Sequence, residues 1–186
     1  MVERSAAQSA VLTHDPCPSA QFTILNKYII VSPVRFDPSG GLVAGAWTQP
    51  VDEKGCGAAH LLNVLVLVKS DRSVASGALL PGTTHADPIL QHDSMMGVYQ
   101  ATALAGRAAG ESKDCKTVVV ANTDFIAYET GVLPGAKGPP WLEKWTVITC
   151  TKQMIVPMRF IPDATGTSFS AGPSTAVKVT PLGGGH

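Results

Sequence analysis

Charge is scarce in this chain of 186 residues: Asp, Glu, Lys and Arg together make 15% of it, and fourteen basic side chains face fourteen acidic ones. A net charge of zero removes the long-range attraction to phosphate on which general nucleic-acid binding rests. Aromatic residues are also few, at 6%. Long hydrophobic runs are missing; the longest, Leu61–Val68, covers eight residues and includes Asn63. That is far short of the roughly 20 residues a membrane-spanning helix needs. The four cysteines contain no C-x-x-C pair, which leaves a zinc ribbon and a thioredoxin-type redox motif unsupported. No Asn-x-Ser/Thr sequon is present either.

What remains is an apolar, turn-rich chain. Hydrophobic residues reach 45%, and 18 glycines and 14 prolines punctuate the sequence. Such a composition folds, and it favours strands and turns over long helices. An even number of cysteines at Cys17, Cys56, Cys115 and Cys150 fits two disulfides formed in an oxidising compartment, periplasmic or secreted. The opening Met-Val-Glu-Arg-Ser-Ala-Ala has no apolar core. It reads as a mature N-terminus after signal-peptide removal or as a cytosolic start. Residues 183–186 read as a linker and the start of a purification tag.

The chain repeats an order of landmarks. Cys17 is followed by Tyr28–Val31, Val34–Asp37, Trp47, Cys56 and Leu61–Val68, ending near Asp71. Cys115 is followed by Thr117–Val120, Asp124–Tyr128, Trp141, Cys150 and Met154–Phe160, ending near Asp163. Trp47 to Cys56 and Trp141 to Cys150 are both nine-residue steps. A pseudo-repeat of halves at about 17–80 and 115–172, joined by a helix within one domain of residues 1–182, is the expected organisation. Four cysteines allow three connectivities. The repeat makes Cys17–Cys56 and Cys115–Cys150 the natural choice, with the others left open.

Both halves read as strands: β-branched and aromatic residues crowd Phe22–Val34, Val118–Val120, Asp124–Tyr128, Trp145–Thr149 and Ile155–Ile161. Leu61–Val68 has the unbroken apolar character of a strand buried on both faces. Pro157 places the last strand at a sheet edge or beside a bulge. One helix is expected, over about 88–109. Asp87 suits its N-cap and Pro88 its first position. Ile89, His92, Met96, Tyr99 and Ala103 then recur at steps of three and four. The fold class that follows is α+β, a mainly antiparallel sheet of six to eight strands with one main helix.

Val64-Leu-Val-Leu-Val-Lys-Ser-Asp71 with Val74, a loop, the helix from Asp87 and a strand after Cys115 resemble the strand–strand–helix–strand order of TonB C-terminal domains. The similarity covers about residues 62–126. Arg72 stands where that family has Gly, and the family's aromatic signature after the helix is missing. The resemblance implies a periplasmic protein-interaction module, and no partner-binding residue carries over.

Two clusters carry candidate chemistry. His85, His92, Met95 and Met96 surround the helix start. His92 and Met96 share a helix face, and imidazole with thioether suits copper. Trp141, Glu143, Lys144 and Trp145 follow a Gly/Pro loop. Both tryptophans fall on one face of an extended segment, where they would stack a flat ligand or anchor a partner, or else lie in the core. Asp37, Asp71, Asp87, Asp93 and Asp163 read as turn and cap residues. Gly131–Gly138 is too short for a phosphate loop, and Gly166–Ser170 lacks the second glycine of a nucleophile elbow. The expectation is a non-catalytic domain that binds a protein or small ligand. Periplasmic copper handling is the alternative, and a hydrolytic enzyme with a site scattered through the chain comes after it.

Overall fold

The structure is a computed structural model that describes residues 1–13, 19–55 and 58–182. The chain divides into two compact units, Met1–Gly82 and Thr83–His186. Each consists of a helix followed by an antiparallel sheet.

In the first unit, helix α1 (Val2–Thr13) precedes strands β1 (Gln21–Ile24), β2 (Ile29–Phe36), β3 (Leu42–Gly55), β4 (Ala58–Val68) and β5 (Val74–Ala78). Strands β1 and β2 both pair with β3, which pairs with β4, which pairs with β5. Helix α1 buries Ala6 and Ala10 against Val51, Leu62, Val64 and Val66. Ser5 joins it to Ser76 through a 2.8 Å hydroxyl hydrogen bond. Small side chains form the buried stripe of α1, so its backbone lies close to the sheet. The same small side chains give it little hydrophobic periodicity.

In the second unit, helix α2 (Pro88–Ala108) precedes β6 (Val118–Tyr128), β7 (Trp141–Thr149), β8 (Lys152–Pro162), β9 (Thr167–Ala171) and β10 (Lys178–Pro181). Strand β6 pairs with β7 and β7 with β8, while β9 and β10 both pair with β8. Asp87 caps α2 by accepting the N–H groups of Ile89 and Leu90, both at 2.9 Å. Gly110, at φ 78°, lies just past its end. Among the described residues, two α-helices and ten strands stand where one main helix and six to eight strands were expected.

The ten strands occupy eight lanes, because β1 with β2, and β9 with β10, are each one lane broken in two. Both breaks lie opposite a proline. Leu25 donates to the Pro50 carbonyl of β3 at the first, and Gly172 donates to the Pro157 carbonyl of β8 at the second. In an antiparallel strand the N and C=O of one residue point the same way. Each proline therefore turns its missing N–H toward the neighbour that stops there. Strand β8 is consequently central rather than at an edge, and the lane beside it is interrupted.

The phase of α2 differs from the sequence reading. Leu90, Gln91, Ser94, Val98, Ala101, Thr102 and Ala105 face the sheet. Ile89, His92, Met96, Tyr99 and Ala103 face solvent. The disulfide Cys115–Cys150 joins the approach to β6 with the end of β7, its Cα atoms 5.8 Å apart. The expected Cys17–Cys56 pair and the tail at 183–186 lie outside the described residues. Among those residues no helix is long and apolar enough to cross a membrane.

Candidate functional site

The second unit holds its most unusual polar group on β7. Alternation along that strand turns Trp141, Glu143, Trp145, Val147 and Thr149 to one face, and all five are buried. Trp141 is 8% exposed, and Trp145 and Glu143 are essentially inaccessible at 0% and 1%. The two tryptophans do share a face, but it is the inner one. The surface ledge is corrected accordingly: Trp141 stacks on Phe160 at 4.9 Å, and Trp145 tilts against it at 6.2 Å. With so few aromatic residues, the sheet uses its tryptophans to fill the core. Lys144, pointing the other way, is exposed and stands opposite Asp124.

A carboxylate inside a core must have its lone pairs filled. Glu143 accepts from Trp145 Nε1 on one oxygen, and from Trp141 Nε1 and the backbone N–H of His85 on the other, each at 2.8 Å. Indole and backbone N–H groups only donate, and each of the three finds a carboxylate oxygen to accept it. The residues read from sequence as a binding ledge thus act from beneath, by fixing the chain at His85.

His85 belongs to a segment laid along β6. Thr83 N donates to Thr123 O at 2.7 Å, and Thr84 N to Thr123 Oγ1 at 3.2 Å. Phe125 N donates to Thr83 Oγ1 at 3.0 Å. The free edge of β6 is therefore partly covered. Two irregularities in β6, between Val120 and Asn122 and between Phe125 and Ala127, shift its alternation. Phe125 then stands opposite Glu143 and Tyr128 opposite Trp141, so two aromatics three residues apart project on the same side.

His85 completes that group. Its ring stacks on Phe125 at 4.0 Å and 12°, and its Nδ1 lies 2.9 Å from the Tyr128 hydroxyl. Phe125 and Tyr128 meet at 4.9 Å. The cluster lies at the surface: His85 is exposed, Phe125 half-buried, and Tyr128 55% exposed. Beyond Tyr128, Val132 and Leu133 of the following loop are exposed as well. Such an arrangement offers an oriented imidazole, a phenol and apolar faces, which suits stacking and directional hydrogen bonding.

The proposed copper ligands do not assemble with it. His85 is engaged with β6, whereas His92 lies 3.3 Å from Asp93 on the open side of α2. Met96 is exposed beside it and Met95 is half-buried. Among the described residues, no three His, Cys, Asp or Glu side chains are grouped to hold a metal ion. A cleft of 410 Å³ opens where the start of α2 approaches the β8–β9 turn, lined in part by Asp87, Ile89, Asp93, Lys137 and Asp163. Its carboxylates are already engaged: Asp87 by the helix, Asp93 by His92, and Asp163 by the N–H groups of Thr165 and Gly166.

The aspartates at strand ends serve as turn acceptors. The Ser39 hydroxyl and Gly41 N–H hold the Asp37 carboxyl below its ordinary pKa. Ser73 does the same for Asp71, and Thr165 for Asp163. Thr149, at 2.5 Å, and Thr151 lower that of Glu111 beside the disulfide.

Family models, curated proteins and solved structures contain no match to this chain. The stretch for which sequence led us to expect a TonB-like module, about residues 62–126, runs from β4 and β5 of the first unit into α2 and β6 of the second.

Proposed function

We propose that this protein is a ligand- or partner-binding domain of an oxidising, extracytoplasmic compartment, and that it binds through the cluster of His85, Phe125 and Tyr128. One observation carries this reading. The imidazole is fixed at the surface by stacking on Phe125, by the Tyr128 hydroxyl and by the Glu143-anchored backbone at 2.8 Å. A surface group held in one orientation loses little freedom when it binds, so its contacts contribute more to affinity. Val132 and Leu133, in the loop that follows Tyr128, are exposed apolar residues as well. The Cys115–Cys150 bridge supports the compartment. The ligand class that fits is a flat aromatic ring with a hydrogen-bonding edge, either free or as a side chain of a partner.

The test is a two-dimensional NMR titration of the labelled protein with indole, phenol and adenine as probes. Shifts should concentrate at residues 83–85 and 125–133, and Tyr128→Ala should abolish them. Shifts scattered over both units, or unchanged in that variant, would place binding elsewhere and end the reading.

A further inference from the structure

Among the described residues of the second unit, helix α2 carries a second, exposed apolar face. Ile89 is 72% exposed, Met96 63% and Leu104 57%, with Tyr99 at 39%. The exposed line of Ile89, His92, Met96, Tyr99 and Ala103 advances by three, four, three and four residues. That is the seam spacing by which one helix packs along another. It lies opposite the buried stripe of Leu90, Ser94, Val98, Ala101 and Ala105, so the helix is built with two packing faces. A single exposed apolar residue calls for no explanation, whereas an ordered stripe of them marks an interface.

Charge identifies the occupant. Asp93, Gln100 and Arg107 lie seven residues apart on one flank of this seam, and all three are exposed. Two copies of α2 packed antiparallel about a two-fold axis near Gln100 would set Asp93 of each against Arg107 of the other. Gln100 would then meet Gln100. Parallel packing would instead set this flank against Pro88, Met95 and Thr102 of the other helix, which offer neither charge a counter-charge. A flank that is acidic at one end and basic at the other is complementary to itself only when reversed. This is the requirement of an isologous contact. Asp93 is exposed, and its Oδ1 lies 3.3 Å from His92 Nδ1.

We propose that the protein forms a homodimer in which the α2 helices of two chains pack antiparallel through Met96, Tyr99 and Ala103, with reciprocal Asp93–Arg107 pairs. This surface is separate from the His85 cluster, and the proposal does not depend on the function assigned to that cluster.

The experiment is sedimentation equilibrium of the whole chain over a range of concentrations. Wild-type protein should sediment at twice the chain mass of 19.4 kDa. Met96→Glu should be monomeric, with unchanged circular dichroism because the side chain lies outside the core. Asp93→Arg should weaken the dimer by about tenfold or more, and Asp93→Arg combined with Arg107→Asp should restore it. A monomeric wild type overturns the proposal, as does a dimer indifferent to Met96→Glu. Failure of the double reversal to restore association overturns the antiparallel pairing.

Discussion

Glu143 and His85, 58 residues apart, are joined by a 2.8 Å hydrogen bond from the backbone N–H of His85 to the buried carboxylate of Glu143. The bond links the sheet interior to a histidine at the surface. Glu143→Leu keeps an apolar strand position and leaves Trp141 Nε1, Trp145 Nε1 and the His85 amide without their acceptor. An unsatisfied buried donor costs about 1–3 kcal/mol, so the loss should be about 3 kcal/mol or more. It should appear as a large fall in melting temperature. Glu143→Gln retains one acceptor oxygen and should cost less. In Glu143→Leu the His85 amide should exchange with solvent faster than in wild type, while amides of β8 stay protected. Equal stability of the Leu variant and wild type would show that the carboxylate does not anchor this segment.

The bridge from Cys115 to Cys150 closes a separation of 35 residues, which in the chain-entropy account stabilises by about 3–4 kcal/mol. Reduction should lower the melting temperature of the second unit by that equivalent, and Cys115→Ser with Cys150→Ser should match the reduced wild type. Intact-mass measurement of unfolded, unreduced protein reads the cysteines directly. One bridge removes about 2 Da relative to the reduced chain, and the Cys17–Cys56 pair expected from the spacing would make it about 4 Da. A fully reduced chain from an oxidising compartment would contradict the bridge itself.

Among the described residues, four carboxyls have lowered pKa values in the folded chain: Asp37, Asp71, Glu111 and Asp163. Hydroxyl and N–H donors favour the charged form of each, so the folded state holds these protons less tightly than the unfolded state does. The stability they contribute is complete above the unfolded carboxyl range, about pH 4–4.5. It is lost as pH falls through the lower folded values. Melting temperature should therefore vary little from these groups between pH 7 and 5 and decline below about pH 4. Asp71→Asn and Asp163→Asn together should make that acid decline shallower. A decline equally steep in the double variant would remove the two turns as its cause.

Local patterns made much of this fold legible. Asp87 and Pro88 opened α2 where they were read, because a cap acts on N–H groups two and three residues away. Trp47 and Trp141 fall on β3 and β7, and Asp71 and Asp163 on the turns after β4 and β8. Even spacing could place them because hairpins keep chain order. What escaped depended on distance or on small residues. Helix α1 buries alanine and serine, which carry no strong apolar signal. In α2 both faces are apolar, so periodicity gave the helix without saying which face the sheet would take. The pairing of Phe125 with Tyr128 needs an irregular strand, since strict alternation sends residues three apart to opposite faces. The bond between His85 and Glu143 has no local signature at all.

Asn63 interrupts the most apolar run of the sequence, and the structure gives it a specific task. It is buried on β4, and its side-chain amide donates to the carbonyls of Leu80 and Gly82, both at 2.9 Å. The backbone reinforces the contact, with Leu79 N donating to Asn63 O and Gly82 N to Leu61 O. Asn63 therefore holds residues 79–82 against the strand where the first unit ends. Asn63→Leu would perfect the hydrophobic pattern and increase apolar burial. It would nevertheless remove two buried hydrogen bonds, each with a net worth of about 1 kcal/mol. The added burial is modest because the site is already packed, and a larger or differently shaped side chain there brings strain. The variant should be less stable than wild type by about 1–3 kcal/mol. The Gly82 amide should lose protection from exchange before those of central β4. A stabilised Asn63→Leu protein would mean that the amide is there only by chance, and that residues 79–82 are held by their backbone bonds alone.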